Sequence, residues 1–319
     1  MKLIYNALSR WPDYARLEGA VAGGALPAAV TGLSGIHKCC VIASLCQKTG
    51  RRALVLAADE AEAQRFCEDL RALGLQPLPY PLRDFGFRDA AGTSHEYERL
   101  RLEVLSKLEN GTCDCVVACV DAALQYTMGP QELQRRLYPL EAGAQMEIED
   151  LLSALVQCGY TREDKIEGPG QFSRRGGIVD FYSPSANAPV RVEFWGDEID
   201  SLSYFDIGSQ RRTDPVDQVT LAPCVEAIAE KPLALAAKIE KLASSLRGKN
   251  APKAKEILRG EAEKLKNGLR IGSLDKYISL LYPETSTLLD YFPAEGSLLF
   301  FSEGNKLKER MRTTLWQWG

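Results

Sequence analysis

Residues 31–39 read TGLSGIHKC and hold Gly32, Gly35 and Lys38 in the order of a phosphate-binding loop, GxxxxGK followed by Ser or Thr. Such a loop works because glycine lets backbone N–H groups wrap the phosphates, lysine reaches their outer oxygens, and the hydroxyl holds magnesium. Two of these groups are replaced. His37 stands where glycine is needed, so a Cβ and a ring crowd the loop. Cys39 stands where the hydroxyl belongs, and a thiol is a poor ligand for a hard cation. Nucleotide binding is therefore expected to be lost. A second set of chemically capable residues lies in 190–195, VRVEFW, where Arg191 and Trp195 sit two same-face positions apart. Arginine and tryptophan are the types most enriched where protein partners are gripped. A partner surface is one reading; the other is that Arg191 pairs with Glu193 or a cross-strand acid while Trp195 covers a domain junction.

The elements that position these residues follow from periodicity. In 170–213 the apolar residues recur at every second position, in 178–182 and again in 190–195, with Ser, Pro, Asn and Gly between the runs. This predicts an antiparallel meander with Val190, Val192 and Phe194 on a core face and Arg191, Glu193 and Trp195 on the other. Ahead of it, 28–31 reads as a buried strand, 38–47 as a helix ending before Gly50, 53–57 as a strand, and 59–73 as a helix capped by Asp59 and closed by Gly74. A short strand to Tyr80, a helix over 96–108 and a strand over 115–120 complete an alternation that implies a parallel sheet covered on both faces. From Tyr126 the pattern breaks into a connection, then an amphipathic helix over 148–158. A lysine-rich helical segment follows the meander.

Composition narrows the partner classes. The chain has 319 residues, room for about two domains. Its net charge of −4 argues against a general nucleic-acid binder. Locally, 231–268 carries ten Lys or Arg against four Glu, which reads as a solvated helix face or as a phosphate-touching surface. No apolar run approaches the roughly 20 residues that span a bilayer, and the N-terminus lacks the apolar core of a signal peptide. A cytoplasmic protein without a membrane partner is expected. The nine cysteines include no CxxC pair, so no metal site is expected and all are read as reduced thiols.

The strings GQFSRRGGIVDFYSP, PVRVEFWGDEIDSL and SQRRT resemble the small second domain shared by UvrB and the bacterial transcription-repair coupling factors (Mfd). Both families present this domain to UvrA, the damage-recognition ATPase of nucleotide excision repair. By that resemblance Arg175, Arg191 and Trp195 make the contact, with tryptophan replacing the usual phenylalanine. The chain before Tyr126 resembles the first helicase domain of UvrB, whose tyrosine-rich DNA-clamping hairpin cannot fit in residues 81–95. Phe85 and Phe87 there either pack under the loop or stack on bases. The run 286–305 resembles the stretch leading into the second nucleotide motif, whose acidic pair is matched by Ser302 and Glu303. Serine offers magnesium only a neutral oxygen, so both nucleotide motifs have decayed together.

UvrB needs both motifs and the hairpin, whereas the N-terminal UvrB-homology module of the coupling factors resembles UvrB without them. The fold class expected is α/β: a degenerate helicase-type domain (1–125 and 225–319) with an inserted, smaller α+β UvrA-binding domain (126–224). The resemblance implies a non-catalytic module that recruits UvrA, holds neither ATP nor magnesium, and belongs to a longer chain. The longer protein engages RNA polymerase and duplex DNA through a separate ATP-driven motor, and its own C-terminal region masks the UvrA-facing surface. Two alternatives stay open: a residual nucleotide-binding domain if Lys38 still holds phosphate, and a DNA-binding module working through 231–268.

Overall fold

The structure is a computed structural model that describes residues 2–83, 96–184, 186–248, 250–269, 271 and 274–318. The contacts divide it into two units, Met1–Arg83 with Lys107–Gln125 and Leu288–Gly319, and Asp84–Ser106 with Tyr126–Thr287. The expected division placed 225–319 with the helicase-type domain; in the structure only Leu288–Gly319 groups there. Residues 225–287 group with the meander instead.

The first unit is built on four parallel strands in the order Ser297–Phe301, Arg52–Ala57, Cys115–Cys119, Pro77–Tyr80. Its two central strands, RALVLA and CVVAC, are almost wholly apolar because a parallel sheet is covered on both faces and its strands have no side left for water. Helix Gly35–Thr49 ends at Gly50, whose φ of 64° closes it in the left-handed conformation. Helix Glu60–Ala72 starts where the Asp59 carboxylate accepts the Glu62 N–H at 2.8 Å. Both helices contribute to one core in which Cys39, Ile42, Cys46, Phe66, Cys67 and Leu70 meet Ala53, Val55, Cys115 and Val117.

One expected strand is missing. Residues 28–31 form no regular structure and are exposed, and the following helix begins at Gly35, three residues earlier than its pattern implied. The segment offers a single large apolar side chain, Val30, which is itself exposed, so pairing it into the sheet would bury little. Phe85 and Phe87 lie outside the described residues. Among the described residues no helix is long and apolar enough to cross a membrane.

The second unit holds the meander as a six-stranded sheet in the order Arg212–Val216, Glu198–Phe205, Val190–Trp195, Ile178–Phe181, Gln171–Arg175, Thr161–Arg162. All neighbours are antiparallel except the last pair. Its inner face supplies Phe172, Val179, Phe181, Val190, Val192 and Leu202, which pack with Leu151 and Leu155 of helix Ile148–Gln157; Phe194 borders this core partly buried. The alternation read from the sequence thus divides core from surface as expected. The lysine-rich segment forms helices Pro232–Ser245 and Ala251–Lys266, which bury Leu235, Ile239, Ala262 and Leu265 together in a small core of their own.

Candidate partner-binding face

Two tight turns set the edges of the outer face. Between Arg175 and Ile178 the chain reverses through Gly176, at a φ of 60° that side chains rarely tolerate. Between Trp195 and Glu198 it reverses through Gly196 at 61°. The register then decides which side chains meet. Asp180 stands directly opposite Arg191 on one neighbouring strand and opposite Ser173 on the other.

Asp180 is 1% exposed, and its two oxygens accept three hydrogen bonds from two arginines. Arg191 donates from Nε to Oδ1 at 2.7 Å and from Nη2 to Oδ2 at 2.8 Å, a bidentate fork across the strands. Arg175 donates from Nη2 to the same Oδ2 at 3.1 Å. The Arg191 guanidinium lies 4.9 Å from the Phe205 ring centroid, and its Nη1 donates to the Gln210 carbonyl at 3.3 Å. The hydrogen bonds to Asp180 hold the Arg191 proton more tightly than usual and raise its pKa. Arg191 is thereby mostly enclosed, its side chain 12% exposed, while that of Arg175 is 54% exposed.

Trp195 stands apart from this pair. It is the last residue of its strand, 83% exposed, and four residues beyond Arg191 at about 3.4 Å each, so roughly 13 Å along the sheet. Glu193 lies between them on the same face and pairs with Arg212. The structure therefore brings Arg175 and Arg191 together on one carboxylate and places Trp195 at the end of the face, not between them. The cross-strand acid that the sequence allows for Arg191 is Asp180. Asp180 was the residue missed, because the eight-residue connection 182–189 leaves the hairpin register unfixed by any turn motif.

The former phosphate loop has a different geometry. Gly32 and Gly35 lie in open loop and at the helix start, and Ser34 Oγ is 2.8 Å from His37 Nδ1. Lys38 Nζ does not stand free: it donates to Glu303 Oε1 at 2.5 Å and to Ser302 Oγ at 3.3 Å. Ser302 in turn donates to Glu62 at 2.8 Å. The Lys38 ammonium holds the Glu303 carboxyl below its ordinary range. Cys39 is fully buried in the core, and burial pushes its thiol up to about 12. Among the described residues no cluster of three or more His, Cys, Asp or Glu is placed to hold a metal.

Residues 138–226, which contain the whole meander, match the family model of the UvrB interaction domain. Over 320 aligned residues the chain is 32% identical to a transcription-repair-coupling factor of Bacillus subtilis, covering 97% of this chain and 27% of that protein. Factors of the same name from Staphylococcus haemolyticus and Staphylococcus epidermidis are 26% and 25% identical over 89% of this chain and 25% of theirs. The chain spans about a quarter of the length of the curated relatives it matches. With a UvrB interaction domain at its centre and similarity to these factors along nearly all its length, the chain belongs to the transcription-repair-coupling-factor family, as a UvrB-homology module.

Proposed function

We propose that this module recruits UvrA without catalysis, and so links removal of stalled RNA polymerase to nucleotide excision repair. The observation that carries the reading is the outer face of the meander: a tryptophan 83% exposed and a half-exposed arginine on a sheet that matches the UvrB interaction domain. A rigid aromatic anchor at the end of the face, with guanidinium donors further along it, suits a partner that offers an apolar socket and carboxylates. In this reading the module uses no ATP and no magnesium; Lys38, which would have to reach phosphate, is engaged by Glu303 and Ser302. The motor activity, and the contacts with RNA polymerase and duplex DNA, belong to other parts of the full-length factor, whose C-terminal region covers the UvrA-facing surface at rest. Titrating the module into purified UvrA by calorimetry tests the reading: saturable binding that Trp195→Ala weakens supports it, and absence of binding refutes it.

A further inference from the structure

We propose that Asp180 and Gln210 are positioning residues of this face, holding Arg175 and Arg191 in the orientation that meets a partner's carboxylates; this rests on the reading of the face as the UvrA-binding surface. Asp180 lies on a middle strand of the sheet and is withdrawn from water, so its carboxylate depends on the arginines for its partners. By taking the Nε and Nη2 donors of Arg191 and one N–H of Arg175, it brings two guanidinium groups from different strands onto one anion. The three groups sum to one excess positive charge. Of the five N–H donors on each guanidinium, those on Nε and Nη1 of Arg175 have no partner among the described residues, and they belong to a half-exposed side chain.

Gln210 completes the arrangement from the loop 206–211. Its φ of 58° lies in the left-handed region, a conformation shared among described non-glycine residues only with Glu303. The loop is closed by Asp206, which accepts from Ser209 N and Oγ at 2.8 Å each, and by the Gln210 N–H to Asp206 O at 2.8 Å. Gln210 Nε2 donates to Ile207 O at 2.7 Å, which fixes the amide so that Oε1 accepts from Arg175 Nη2 at 3.4 Å. Its backbone carbonyl accepts from Arg191. A strained residue thus touches both arginines at once, and each arginine is held from two directions.

Calorimetry against purified UvrA, with circular-dichroism melts and amide hydrogen exchange, tests this on the variants Asp180→Asn, Gln210→Gly, Arg175→Ala and Asp180→Asn with Arg175→Ala. Asp180→Asn keeps the shape and removes the charge, and it should weaken binding about tenfold. Gln210→Gly relieves the left-handed strain, so it should melt no lower than the parent yet bind about threefold more weakly. The loss caused by Arg175→Ala should shrink when Asp180 is already Asn, because the two act as a unit. A folded Asp180→Asn binding as tightly as the parent, or fully additive losses, would overturn the proposal. Should Asp180→Asn fail to fold, Gln210→Gly decides, and unchanged affinity there overturns it. If the parent itself does not bind UvrA, the functional reading fails separately. The positioning role is then read from exchange at 206–211, which should quicken about tenfold in Asp180→Asn if the arginines hold that loop; unchanged exchange refutes it.

Discussion

Arg191 gives two N–H groups to a carboxylate that water scarcely reaches, so Arg191→Ala would leave Asp180 buried with only Arg175 to answer it. Breaking a buried pair from one side typically costs 3–5 kcal/mol; with Arg175 still in place we expect about 3 kcal/mol of folding stability, read by urea denaturation. Arg175→Ala and Trp195→Ala, at positions 54% and 83% exposed, should by contrast melt within a degree or two of the parent, as surface substitutions do. The three residues grouped by the sequence therefore separate by role: two present themselves to solvent, and one also secures the sheet. By alternation alone, Arg191 and Trp195 share an outer face and would both be removable without harm to the fold. Which face a side chain occupies does not decide this, because an outer-face residue can still be the main partner of a buried charge. An Arg191→Ala protein as stable as the parent would contradict this account of the pair.

At the scale of elements, the strands and helices with strong periodicity were legible in the sequence. The helix capped by Asp59, the apolar strands at 53–57 and 115–119, and the meander appear close to where their patterns placed them. The strand expected at 28–31 was not, since a run of small residues after Pro27 mimics a buried strand while having little to bury. The register that joins Asp180 to Arg191 was also out of reach, because long connections do not specify pairing. In the helix that carries Lys38, the ammonium is taken by Glu303, His37 occupies the glycine position, and Cys39 is in the core. We expect no saturable ATP binding at millimolar nucleotide by calorimetry; micromolar binding abolished by Lys38→Ala would overturn that. On the helical hairpin Lys266 is engaged by Glu240, and the chain as a whole carries a net charge of −4. Duplex DNA should accordingly bind weakly, with an affinity that falls steeply with salt. Tight binding at about 0.15 M salt that depends on Lys253 and Lys255 would instead favour a DNA-binding role for this hairpin.

At the scale of the whole molecule, a parallel α/β sheet carries a loop of phosphate-binding pattern whose lysine is held in an internal ion pair, and a fold of this kind does not by itself determine function. The proposed function rests on a surface, and a surface can be regulated by covering it. If the remainder of a full-length factor masks this face at rest, apparent affinity for UvrA falls in proportion to the fraction of open molecules. The isolated module should then bind UvrA more tightly than the intact resting factor, as compared by calorimetry under one buffer; equal affinities would count against masking. The central claim, that the outer face of the meander is where UvrA docks, is tested most directly by calorimetric titration of UvrA with the parent module and with Trp195→Ala and Arg175→Ala, each first shown to be folded by circular dichroism. Each substitution should cost about 2 kcal/mol of binding, or some thirtyfold in Kd. Two well-folded variants that bind UvrA as tightly as the parent would contradict it.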